Sequence, residues 1–545
     1  MIRDDPVAEA IIKKANELQG LRVNWESHWE EIAERILPNY STAFDGTGNI
    51  SKGEKRNQEV FDSTGAIALS RFASAMESML TPRQQTWHRL APSDPYLMKD
   101  RAVRLWFEDA TRILFKHRYA PKANFASQQH EVYTSLGAFG TGAIFIDDLV
   151  DMKGRKNGIR YKTMFLGEVY FCENHQGIID TVYRIFTMKA RQMVQKWGDK
   201  VPKEIRDRAD MPEDKDYEII HCIRPNTEKV EGAMNFKGMD YYSAYVSCEG
   251  RVTLSESGYN TFPIPVSRYS TTPGEIYGRS PAMLVLPAIK TLNEQKKTVL
   301  KQGHRIVDPV LLAYDDGVLD GFSLKPGALN AGGVSAEGRP LIHTLPTGNL
   351  AIARDMMEDE RMAVNDAFLV TLFQILVDSP QMTATEVMER AREKGALLAP
   401  TMGRQQSELL GPMIERELDI LMRQGKLPPM PEALREAQGE YKVEYDSPLS
   451  RAQKAEEGAG SMRTIQWAAE IAANAQNPTI FDHFNFDEII PELADINAMP
   501  VRFINDPKTI EAIRQGRQQQ AATQQLIDAA PAMASMMKQG VGAPA

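Results

Sequence analysis

Three cysteines, Cys172, Cys222 and Cys248, are all that the 545 residues contain. So few exclude a disulfide framework and fit a reducing compartment. Long apolar runs are missing too. No stretch of about 18 apolar residues occurs, so no segment is expected to span a membrane. The first residues, "MIRDDPVAEAIIKKANELQG", are charged and amphipathic and lack the apolar core of a secretory signal. Nor is there an excess of basic residues, because the formal net charge is −9. Tight, non-specific nucleic-acid binding needs many lysines and arginines on phosphates, so at most weak contact with DNA is expected.

Signatures of catalysis are equally scarce. A phosphate loop of the form GxxxxGK[ST] is absent, as is a GxSxG nucleophile elbow. The stretch "SLGAFGTGAIFIDD", Ser135 to Asp148, invites a phosphate reading through its glycines. It lacks the lysine, however, and it runs from helix to strand, so the negative end of the helix dipole would face the anion. Gly137, Gly140 and Gly142 are instead expected to form a left-handed helix cap and a close-packed structural hinge. Asp147 and Asp148 are adjacent, and neighbours on a strand point to opposite faces, so they cannot share one metal. Followed by "LVDMKGRKNG", they read as the start of a solvated hairpin turn. Cys172 with His175, and His221 with Cys222, have spacings a zinc site could use, yet strand neighbours diverge and buried structural cysteines are the expectation. No catalytic residue, cofactor or metal ligand is assigned.

What is present is periodic. The length suggests three or four domains or sub-domains. Trp25, Trp29, Ile32 and Ile36 recur at helical spacing before Pro38, and Leu69, Phe72, Met76, Met79 and Leu80 do so before Pro82. A third helix is expected over 127–136. From Ala143 to about Arg268, short β-rich runs such as "IRYKTMFLGEVYFCE" and "YEIIHCIRP" alternate with turn residues, interrupted by the helix "KARQMVQKWG". The fold class is therefore α+β, mainly helical. After Pro273 a long helix is expected despite Pro287, then an insert rich in Gly and Pro, then a second long helix. A third starts at Thr383, where Thr383 and Glu386 match a capping box, and the Gly411-Pro412 pair predicts a break or kink. The chain ends in an Ala/Gln/Met tail of low complexity.

Charge separates the two long helices. Lys290, Glu294, Lys297, Lys301 and Arg305 fall on one face of the first, and 279–305 holds six basic residues against one acidic. The second carries Asp355, Glu358, Asp359, Glu360 and Asp366 against Arg354 and Arg361. Either both faces are solvated, or the helices pair, within one subunit or between neighbours. Exposed pairs contribute below about 1 kcal/mol each, so pairing would set register more than strength.

The stretches "ALSRFASAMESMLTPRQQTWHRL", "GEIYGRSPAMLVLPAIKTLNEQKK", "TATEVMERAREK" and "YDSPLSRAQKAEE" together resemble the portal, or head-to-tail connector, proteins of short-tailed phages, in the family's order from about residue 20 to about residue 460. The resemblance implies a portal fold that forms a dodecameric ring at one capsid vertex. It divides the chain into a wing (1–278), a first stem helix (279–306) and a clip (307–346). A second stem helix (347–372), a tunnel loop (373–382) and a kinked wing helix (383–425) follow. The crown (426–515) and the low-complexity tail (516–545) come last. It implies Gln374, Asp378, Ser379 and Gln381 as tunnel-loop residues beside DNA. The implied partners are other copies of the chain, double-stranded DNA, a terminase motor, major capsid and scaffolding proteins, tail or adaptor proteins and internal core proteins. Assembly would take place in the host cytoplasm and the product would reside in the virion. Another virion component, such as a capsid or tail-adaptor protein, and a DNA-packaging enzyme are the competing readings.

Overall fold

A computed structural model describes residues 5–41, 43–44, 53, 55–151, 153–211, 215–313, 323–346, 348, 350–371, 399–437, 439–446, 448–475, 478–496, 499, 501–505 and 509–523. Two compact units share the chain. The first comprises 1–84 and 117–424, the second 85–116 and 425–545.

In the first unit, helix α1 (Pro6–Leu21) is capped by Asp5, whose side chain accepts from the amides of Val7 and Ala8, and Pro6 stands at its first turn. Its stripe Ala8, Ile11, Ala15 and Leu18 is buried on a five-stranded sheet. That sheet is an antiparallel meander in the order β4 (Val169–Glu173), β5 (Ile179–Lys189), β6 (Asp216–Pro225), β7 (Tyr241–Ser247), β8 (Val252–Tyr259). Alternation along β6 sets its two faces. Ile220 and Cys222 join the core under α1, while Tyr217 and Ile219 join a core under the helices α6 (Ala190–Trp197) and α7 (Lys203–Arg206).

Helix α5 (Phe125–Phe139) packs on a second sheet of order β3 (Lys156–Met164), β2 (Thr141–Val150), β9 (Val266–Arg268), and helices α2 (Val23–Ile36) and α3 (Thr64–Leu80) pack against α5. The inward stripes expected on α2 and α3 are buried at Trp29, Ile32, Ile36, Leu69, Phe72, Met76 and Leu80. The expected helix at 127–136 is longer at both ends, because Phe125 is buried at its start and Gly140 ends it. Two long antiparallel helices follow, α8 (Pro281–Val307) and α9 (Leu350–Ala367), with the short strands β10 (Leu311–Ala313) and β11 (Ile342–Thr344) paired between them.

Helix 399–423 does not break at Gly411-Pro412. It widens into one π turn, Gln406–Leu410, and continues as Gly411–Arg423. Pro412 has no N–H to give to the carbonyl four residues back and its ring crowds that carbonyl, so a wider turn relieves both. Thr383 and Glu386 lie outside the described residues.

In the second unit, β1 (His88–Pro92) pairs antiparallel with β12 (Tyr441–Tyr445). Helix α4 (Arg101–Arg118) buries Val103, Trp106, Phe107, Ala110 and Leu114. The Trp106 indole donates to the Pro428 carbonyl at 3.0 Å. Helices Pro448–Ala475 and Phe486–Ile496 and the helical segment 509–523 follow.

Candidate functional site

The glycine-rich stretch and the "YGRSP" motif, 137 residues apart, meet at the root of α8. Helix α5 ends at Phe139, and Gly140 takes the left-handed conformation (φ 77°), with its N–H on the Leu136 carbonyl. A Cβ on Gly140 would overlap the Gly278 carbonyl, and a Cβ on Gly278 would overlap the Gly140 carbonyl. The two backbones are locked by side chains from both sides. The Gly278 amide donates to Thr141 Oγ1 (2.9 Å), and the Tyr269 amide to the Gly140 carbonyl (2.9 Å). Ser280 Oγ donates to the Ala138 carbonyl (2.8 Å) and accepts from the Met283 amide (3.0 Å), so one hydroxyl closes α5 and opens α8. Pro281 follows at the first helical position. The negative end of α5 thus meets the positive end of α8, an arrangement that is electrostatically favourable and occupies the helix N-terminus an anion would need.

The other two glycines admit neighbours. A Cβ at Gly142 would come within 2.8 Å of the Val132 carbonyl, and one at Gly137 within 2.6 Å of Leu69 and 2.7 Å of Phe72.

Tyr277 is buried against Trp25, Trp29 and Phe171, with ring centroids 5.7, 5.2 and 5.6 Å away. Arg22, 1% exposed, lies 3.6 Å over the Tyr170 ring. Its guanidinium donates to the carbonyls of Leu166 (2.9 Å), Gly167 (2.8 Å) and Val169 (2.5 Å) and to Glu26. Arg279 caps the cluster from outside, paired with Glu275 and 4.5 Å over Trp25.

The α8–α9 hairpin stands on this root. Asn293 Oδ1 accepts from the amides of Phe61 (2.7 Å) and Asp62 (3.3 Å). Lys290 pairs with Glu31 on α2 (2.5 Å), Lys297 lies 5.4 Å over Phe61, and Arg361 of α9 pairs with Asp62 (2.8 Å). Gln302 Nε2 donates to the Gly348 carbonyl at 2.7 Å. Among the described residues no ion pair joins α8 to α9, and Glu294, Lys301 and Arg305 have none. Opposite charge is therefore not what packs these helices within one chain.

Residues 8–504 match the model of a family described as bacteriophage head to tail connecting protein. The chain belongs to that family. It is 29% identical, over 529 residues, to the portal protein of Salmonella phage epsilon15, covering 95% of this chain and 92% of that one. It is 30% identical, over 527 residues, to a probable portal protein of Bordetella phage BPP-1, covering 94% and 92%. A head-to-tail connector is a structural protein of the phage virion.

Several polar residues of this connector differ from the expectation. Asp147 and Asp148 lie within β2, and the turn comes later, at 151–155. Asp148 is half-buried, its side chain 6% exposed, and it pairs with Lys156 (2.8 Å) and accepts from Gln424 Nε2 (2.8 Å). Burial works to raise its pKa, but these partners hold it below the usual carboxylate value. Asp147 turns the other way, toward Arg416, and burial raises its pKa. The two carboxylates diverge as strand neighbours must: the Asp148 side chain is packed among its partners, while that of Asp147 stays 42% exposed.

His221 and Cys222 also diverge. Cys222 lies under α1, while His221 is stacked on Tyr245 (3.9 Å, 6°) with Nε2 2.9 Å from Ser243 Oγ. Among the described residues no group of three or more His, Cys, Asp or Glu could hold a metal. No described helix is long and apolar enough to cross a membrane.

The buried charges of the connector were not visible in its sequence. Arg118 and Glu417, both 0% exposed, form a bidentate pair that Tyr161 completes by donating to Glu417. Burial opposes the Arg118 charge, but contact with Glu417 outweighs it and raises the guanidinium pKa. Arg268 pairs with Glu173 and Glu408, clamping β9 to the π turn. Each partner lies 95 to 299 residues away in the chain, so no local pattern marks them. Gln374, Asp378, Ser379 and Gln381 lie outside the described residues.

Proposed function

We propose that this connector closes into a portal ring at one capsid vertex, the conduit through which double-stranded DNA is packaged and later ejected. The observation that carries the reading is the near end-to-end match to two chains named as portal and probable portal proteins. In this reading the stem is α8 and α9, assigned as 279–306 and 347–372, and the clip is the insert 307–346. The wing is 1–278 with the helix at 383–425, the tunnel loop is 373–382, and the crown and tail are 426–515 and 516–545. The ring is dodecameric, and it engages the terminase motor first and tail or adaptor proteins later. Capsid, scaffolding and internal core proteins contact its periphery.

Physical chemistry supports the role. A ring needs head-to-tail surfaces that differ from one another and close by rotation. The hairpin offers them, since beyond Leu292 no residue of α8 is buried, and α9 buries only Met357 and Val364. DNA carries one charge per about 1.7 Å, so a strongly basic channel would grip it, whereas a chain of net charge −9 lets it slide.

Negative-stain imaging and native mass measurement of the full chain test the reading. Cone-shaped rings with a central hole are expected; a monomer that hydrolyses nucleotide would overturn it. Deleting 378–381 should leave rings intact and impair DNA packaging or retention. Normal DNA-filled heads would remove the tunnel-loop assignment.

A further inference from the structure

One face of the five-stranded meander carries a row of polar side chains. Register sets Arg184 of β5, His221 of β6 and Tyr245 of β7 side by side, and directly paired residues share a face. The His221 ring stacks on Tyr245, and Phe145 of β2 meets it edge-on at 6.0 Å. Lys162 of β3 is paired with Phe145, so the three-stranded sheet delivers a lysine to the same place. Helix α6 brings Lys196, whose ammonium lies 3.9 Å over the Tyr245 ring and 4.6 Å over that of Trp197. Trp197 is itself held by its indole, which donates to Ser255 Oγ at 3.1 Å.

Three cations from three elements thus converge over an aromatic floor. Arg184 gives Nε and Nη2 to one oxygen of Glu168 (2.9 and 2.8 Å), and among the described residues its Nη1 donates to none. Lys162 and Lys196 have no ion pair among the described residues, and both are exposed. The other carboxylate nearby, Asp147, is drawn toward Arg416 (3.9 Å). Three positive charges therefore face one committed carboxylate, with two in excess. The crowding is felt by each amine. Desolvation, then Arg184, lowers the pKa of Lys162; desolvation, then Arg184 and Lys162, brings Lys196 down to about 8 against the pull of Asp147. Burial and the same cations keep His221 neutral, so it adds no charge of its own.

We infer that Lys162, Arg184 and Lys196 form a binding site for a phosphate group in its dianionic form, as inorganic phosphate or a phosphomonoester. Two excess positive charges match that dianion, whereas each phosphodiester of a DNA backbone carries one negative charge. Two ammonium groups and the open Nη1 supply charge-assisted donors. Bound there, the phosphate relieves the repulsion and ties β3 to β5 and α6. The site belongs to one chain and does not rest on the ring reading.

The test titrates the full chain with inorganic phosphate, glycerol phosphate and sulfate by calorimetry at constant chloride. One phosphate per chain is expected. Lys162→Met and Lys196→Met should each weaken it about tenfold or more, the loss of one charged donor. Lys215→Met, which removes an exposed lysine paired with Glu249, should change nothing. Sulfate does not titrate between pH 7 and 9, yet its affinity should fall roughly tenfold there, because an amine near 8 discharges where an ordinary lysine does not. Reductive methylation of the wild-type chain, followed by mass spectrometry, gives a readout that no misfolded variant can confuse. Phosphate should slow the reaction at Lys162 and Lys196 relative to Lys215. No protection, a flat pH profile, or equal weakening by Lys215→Met would overturn the site. Protection by a DNA duplex without terminal phosphates, and not by glycerol phosphate, would replace it with a backbone contact. Protection by a glutamate-rich peptide alone would replace it with docking of an acidic segment.

Discussion

Gly140 and Gly278 face one another so closely that neither position has room for a Cβ, each blocked by the other's carbonyl. One glycine ends the helix α5 and the other precedes the cap of α8, so the 27-residue helix α8 is rooted where two backbones touch.

Alanine at Gly278 should cost at least about 1–3 kcal/mol from overpacking. Alanine at Gly140 should cost more, since it adds roughly 1–2 kcal/mol for the left-handed conformation. Gly20, in α1 with nothing within 4 Å, is the control, and Gly20→Ala should stabilise by about 0.5–1 kcal/mol. Denaturant unfolding of the three variants checks the order.

Arg118→Met leaves the fully buried Glu417 carboxylate with the Tyr161 hydroxyl but without its counter-charge. A loss of about 3–5 kcal/mol is expected. The double variant Arg118→Met/Glu417→Leu should recover much of it, because no charge is then stranded. A double-mutant cycle by chemical denaturation measures the difference; equal losses in both variants would count against a buried pair whose charges depend on each other.

Arg22→Lys should not behave as a conservative change. A lysine cannot serve three carbonyls and a carboxylate in a fixed planar fork, nor stack on Tyr170 in the same way. Leaving buried carbonyls unpaired costs about 1–3 kcal/mol each, so a fall of at least that size in unfolding free energy is expected.

His221 is held well below its ordinary pKa, first by burial and then by the nearby charges of Lys196 and Arg184. The folded chain therefore keeps it neutral while the unfolded chain takes up a proton as pH falls below about 6.5. Its contribution to stability is fully present above that pH and is lost below it, at up to about 1.4 kcal/mol per pH unit. His221→Phe should flatten the acid limb of a stability–pH profile between pH 7 and 5; an unchanged slope would show that His221 does not set it.

Local periodicity carried much of the fold. Trp29, Ile32 and Ile36 declared the inner face of α2, and the alternating runs after Ala143 declared strands. The cap at Gly140 was legible because a helix pattern, a glycine and a strand pattern follow directly in sequence. The aspartates after it were misplaced for the same reason. Asp-Asp reads locally as a turn, and only Lys156, Gln424 and Arg423 folding over Asp148 make it a strand residue with a covered side chain. The pairing of β1 with β12 had no local signal at all, since its partners lie some 350 residues apart.

By itself, then, the sequence determined the helices, the strand-rich middle, the two oppositely charged long helices, and the resemblance to connectors. Spacing and side-chain chemistry act over a few residues, and that is enough for those features. Tertiary structure decided what the distant residues do. It set the two glycines face to face, put Arg118 on Glu417, and gave Lys290 to Glu31 and Arg361 to Asp62 rather than pairing α8 with α9. Such contacts depend on how whole layers register against one another, and that register follows from burying every apolar face at once.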